Sequence, residues 1–169
     1  MLIAKAFSAF STRLYRRDGE QVGVLTIAPW LGAPRNGRLQ GGKDDVATLE
    51  LGGRTYRLEW EILGSPDDRA GVRWFLMDGE DTLATGTARR GELKRRWEVD
   101  VRGDRYALVI RSRWFTLRSE LLKDGAKVGG VSETTRMFSL AKTYEVASPP
   151  ALGEPVQAFL VHLVTRTTR

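Results

Sequence analysis

The twelve residues from Pro155 to Arg166, PVQAFLVHLVTR, limit what this chain can become more than any other stretch. Pro155 suits a first helical position, where its missing N–H removes no hydrogen bond. Val156, Ala158, Phe159, Leu160, Val161, Leu163 and Val164 follow, interrupted only by Gln157 and His162. Wound at about 100° per residue, those apolar side chains cover nearly the whole circumference. A helix that is apolar all round is enclosed on every side by protein or by lipid. At roughly 1.5 Å per residue the stretch reaches about 18 Å, short of the ~20 residues that a membrane span needs. The enclosure is therefore expected to be protein.

The only material available to build it is β-sheet. Short runs of alternating polarity are separated by turn signals along the whole remainder. Asp18-Gly19, Gly52-Gly53, Gly79-Glu80-Asp81, Gly103 and Asp124-Gly125 each sit between two such runs, the pattern of hairpins. Trp97, Val99 and Val101 alternate with Glu98, Asp100 and Arg102, which makes Trp97 a core residue. Phe115, Leu117 and Leu121 share one face, and Arg118 and Glu120 the other. The segment from Gly64 to Gly71 reads as a polar loop. Pro29 to Asp45 reads as a longer one, of the kind that is often functional. Some eleven or twelve tightly spaced strands imply an antiparallel meander. The fold expected is mostly β: a closed antiparallel barrel of about twelve strands around a buried helix at 155–166, with residues 1–169 as a single domain.

Composition narrows the chemistry. With no cysteine there is neither a disulfide framework nor thiolate chemistry, which fits a reducing, cytoplasmic setting. The opening MLIAKAFSAF lacks the basic cluster and the long apolar core of a secretory signal. His162 is the only histidine, and on a buried helix it is expected to be a core residue with a hydrogen-bonded ring. One histidine without cysteine excludes the usual zinc and histidine-based nucleophilic sites. Gly37, Gly42 and Lys43 have the spacing of a phosphate-binding loop. However, Asp44 stands where a hydroxyl must hold magnesium, and a strand follows where a helix should begin. The acidic pairs Asp44-Asp45 and Asp67-Asp68, and the group Asp78, Glu80 and Asp81, fall in turns without calcium-loop spacing. The reading is no enzyme, no cofactor and no metal.

The charge is uneven. From Thr85 to Arg118 there are ten basic and four acidic residues, a surplus equal to the net +6 of the entire chain. A localised basic field implies an anionic partner. Its densest part is the hairpin carrying Arg89, Arg90, Lys94, Arg95 and Arg96, taken here as the candidate anion-binding residues. Trp74, Trp97 and Trp114 lie in or near this window, and aromatics among arginines can stack bases. Only Trp114 falls on a polar strand face, which is thin support for a nucleic-acid site.

The D-G turn strands RRDGEQVGVLTIA and LLKDGAKVGGVS, the segment FSLAKTYEVASPP and the closing helix EPVQAFLVHLVTR together resemble the Tubby C-terminal-like superfamily, which includes LURP-one-related proteins and phospholipid scramblases. The resemblance covers most of the chain as architecture. It implies a barrel of roughly twelve strands threaded by a hydrophobic helix. Binding of anionic lipid follows from it only by analogy with the phosphoinositide-binding members, whose basic positions do not map residue by residue onto this chain. The function expected is a non-enzymatic binding module for anionic phospholipid, peripheral at a membrane surface. The competing readings are a structural or protein-interaction barrel and, less favoured, a nucleic-acid binder.

Overall fold

The computed structural model describes residues 1–6, 11–16, 18–27, 47–64, 69–89, 95–113, 116–135 and 141–166, with the side chains at 69–70, 112–113 and 116 outside that description. Twelve strands follow one another: β1 (Leu2–Ala6), β2 (Ser11–Arg16), β3 (Gln21–Thr26), β4 (Ala47–Leu51), β5 (Arg54–Gly64), β6 (Arg69–Asp78), β7 (Asp81–Arg89), β8 (Arg96–Val101), β9 (Asp104–Arg113), β10 (Thr116–Lys123), β11 (Ala126–Glu133) and β12 (Lys142–Ala147). Each pairs antiparallel with its sequence neighbours. β1 also pairs with β12, Leu2 opposite Val146, so the sheet closes on itself and leaves no edge.

One helix, α1 (Glu154–Arg166), follows the strands, starting one residue earlier than the sequence pattern suggests. Every residue from Val156 to Val164 is buried. α1 touches β1, β4, β7, β11 and β12, strands that are spread around the ring. It therefore lies inside the barrel, as its all-round apolarity requires. Phe159, Val161, Leu163 and Val164 have no exposed surface. Helix and inward strand positions form one hydrophobic cluster that includes Leu2, Leu14, Leu49, Leu58, Leu76, Trp97, Leu108 and Leu121. Gly86 on β7 lets the helix approach: a Cβ there would stand 2.6 Å from Leu163 Cδ1.

A pure antiparallel meander sorts its connections between two ends. The links β2–β3, β4–β5, β6–β7, β8–β9 and β10–β11 gather at one end, where the chain also enters the helix. Four of the five are two residues long. In Gly52-Gly53, Arg102-Gly103 and Asp124-Gly125 both turn residues have positive φ, the backbone that matches the twist of paired strands. This is the turn end. The other six links, from β1–β2 to β11–β12, gather at the opposite end and include the long 27–46 connection. This is the loop end, toward which α1 runs.

One boundary differs from the sequence reading. β5 continues to Gly64 and β6 begins at Arg69, so Gly64 and residues 69–71 of the expected 64–71 loop are strand, and 65–68 lie outside the described residues. Gly71 lies within β6 because a Cβ there would collide with the backbone oxygen of Ala88 on β7. Its glycine answers a close strand approach, and the chain turns elsewhere.

Candidate functional site

The hairpin from β7 to β8 rises at the loop end. Its register pairs Thr87 with Glu98, and continuing that register by two pairs sets Arg89 across from Arg96. Both are exposed, as is Arg95, which precedes β8 and whose carbonyl accepts a 2.7 Å hydrogen bond from the N–H of Ile110. None of the three side chains pairs with an acid among the described residues. Arg90 and Lys94 lie outside the described residues, as do Trp114, the Gly37–Lys43 segment, Asp44-Asp45 and Asp67-Asp68. The structure therefore brings three of the five candidate cations together at one mouth of the barrel.

Three cations of the turn end are placed differently, whereas Arg102 and Arg105 there are exposed and join no ion pair among the described residues. Arg16 binds Glu154 (2.8 Å) and Glu20 (2.9 Å), Lys123 binds Asp104 (2.8 Å), and Arg57 lies 3.8 Å from Glu80. The Arg16–Glu154 pair is doubled by a second contact at 3.3 Å and ties the first turn of α1 to the end of β2. Nothing in the sequence pattern signals it, because its partners meet only once the barrel closes.

Below the Arg89–Arg96 pair, the outer face of β7–β10 forms a groove of about 500 Å³. Arg96 and Arg105 line it together with Glu98, Asp100 and Asp124, over a floor that includes Thr85, Thr87 and Ala107. Three acids against two cations leave this surface without a positive surplus. The basic excess of the window thus does not extend down the wall. Among the described residues it is concentrated at the rim.

Inside the loop-end half a second cluster forms around Trp74, on β6. The Trp60 ring stacks on it with centroids 6.0 Å apart, and the His162 ring meets it edge-to-face at 4.4 Å. The guanidinium of Arg166, one turn beyond His162 on α1, lies 5.5 Å from the same ring centre. His162 has no exposed surface, and neither ring nitrogen has a hydrogen-bond partner. This corrects the expected hydrogen-bonded ring: the barrel wall offers the imidazole an indole and no acceptor. Burial, and then the charge of Arg166, hold its pKa well below the ordinary histidine value. The indole N–H groups of Trp60 and Trp97 are also buried without acceptors. Trp97 itself faces the core, as its alternation requires. The spacing of His162 and Arg166, four apart on one helix face, was the available signal for this cluster.

Among the described residues no group of three or more acidic, histidine or cysteine side chains is placed to hold a metal ion, and no helix is long and apolar enough to cross a membrane. Fold and site together define a class: a closed twelve-stranded antiparallel barrel filled by a C-terminal helix, with an arginine rim at one mouth. Comparison with protein-family models, with curated proteins and with solved structures finds no match to the chain.

Proposed function

We propose that the protein is a non-enzymatic binding module of the Tubby-like kind, which docks on anionic phospholipid through the rim of its loop end. The observation that carries this reading is the contrast in pairing. Arg89, Arg95 and Arg96 stand together without acidic partners, whereas Arg16, Arg57 and Lys123 of the turn end are matched to carboxylates. Each Lys or Arg near an anionic membrane surface contributes about 1 kcal/mol. Arg89, Arg90, Lys94, Arg95 and Arg96 together suffice for reversible attachment that weakens as salt rises. Support for the Tubby-like part is architectural: the strand number, the meander order and the threaded apolar helix.

Co-sedimentation with vesicles tests the proposal. The protein should pellet with phosphatidylserine-containing vesicles at low salt, remain in solution with pure phosphatidylcholine, and be released by salt. The double reversal Arg95→Glu and Arg96→Glu should abolish pelleting and leave the melting temperature nearly unchanged, since exposed charges contribute little to folding. Pelleting that ignores acidic lipid would leave the protein-interaction barrel as the better reading. A salt-dependent gel shift with single-stranded nucleic acid, without lipid binding, would favour the third.

A further inference from the structure

We propose that His162 makes the barrel's grip on its central helix sensitive to protons, so that mild acidification weakens the fold. The geometry is specific. The imidazole is fully enclosed, has no acceptor for either nitrogen, and packs edge-on against Trp74, whose ring also carries the Arg166 guanidinium. An imidazolium in this position would be a second cation beside Arg166. Among the described residues no carboxylate is buried beside the imidazole. On the elements that pack against α1 the inward titratable group is Tyr144 of β12; Tyr56 and Tyr106 face inward from β5 and β9. None carries negative charge at neutral or acid pH. Among the described residues no carboxylate is buried in the core.

The direction follows from which state binds the proton. Folded, His162 stays neutral; unfolded, it titrates near pH 6.5. Stability is therefore complete above about pH 6.5 and falls as pH drops below it, because the unfolded chain takes up a proton that the barrel refuses. Between pH 8 and pH 5.5 the folding equilibrium constant should fall about tenfold in all, about 1.4 kcal/mol, and the slope approaches tenfold per pH unit only well below pH 6.5. The device is independent of any lipid, since it lies inside the wall and the rim cations lie outside it.

As His162 is the only histidine, its ring C–H resonances identify themselves in an NMR titration. In the folded protein they should hold the neutral position through pH 6. Urea unfolding followed from pH 8 to pH 5.5 should show this total fall of about tenfold, and His162→Leu and His162→Gln should each remove it. Whichever variant folds supplies the comparison, and the wild-type titration needs neither. A ring that titrates near pH 6.5 while the protein remains folded overturns the proposal. So does a stability profile that is flat in the wild type, or equally steep in a folded His162 variant.

Discussion

The two ends of the barrel are built from the same strands but by different rules. At the turn end, most links are two residues long, their backbone matches the strand twist, and several cations sit against carboxylates. At the loop end all but one of the links are longer, three arginines stand without acidic partners among the described residues, and buried N–H groups lack acceptors. An antiparallel meander permits this division, because alternate connections never share an end. Closure can be optimised on one side while the other is left to chemistry. The helix joins the two halves from inside: Glu154 in its first turn meets Arg16 at the turn end, and His162 meets Trp74 in the loop-end half.

The largest test of the comparison removes that element. Deleting residues 151–169 should leave a ring of strands with nothing inside, unable to fold, and near-UV dichroism should be lost. Leu160→Asp, which sets an unpaired charge in the apolar interior, should do nearly the same. A soluble truncation with native dichroism would mean that the wall stands alone and the two ends are independent.

A medium effect distinguishes packing at the loop-end half from backbone fit at the turn end. Gly86→Ala places a methyl group against Leu163, which is fully buried and has little room to shift. It should reduce stability by about 1–3 kcal/mol in urea unfolding. Gly53→Ala meets no atom within 4 Å; its effect should come only from the positive φ, about 1–2 kcal/mol. A Gly86→Ala protein as stable as the wild type would show that the helix does not press on β7. The smallest effect concerns charge. Arg16→Gln should lower the melting temperature slightly at low salt and not at high salt, because it removes an exposed pair that fastens α1 to β2. An equal loss from Arg89→Gln would erase the distinction between the ends.

Much of this was legible because it is local. The helix declared itself through composition alone, and the hairpins through glycine at turn positions. The facing of Trp97 followed from alternation. What failed depended on contacts between distant residues. Gly71 looked like a loop residue, although its glycine serves the neighbouring strand. The ring of His162 was expected to find a hydrogen bond because buried polar groups usually do, yet the strands around it supply an indole instead. The basic window was visible as a count, but only the register shows that Glu98, Asp100 and Asp124 neutralise its wall and leave the surplus at the rim.

Closure between β1 and β12 has a consequence for how the chain assembles. Hairpins from β2 to β11 form between neighbours, and such contacts are fast. The seam is another matter: Leu2 meets Val146, and the helix that fills the interior follows both. During synthesis nearly the whole wall is made before either the seam or the filling exists. For that interval the growing sheet displays its apolar face and two unpaired edges, the features that make intermediates aggregate. The same arrangement that leaves the finished barrel without an edge gives the nascent chain a long stretch in which it depends on protection.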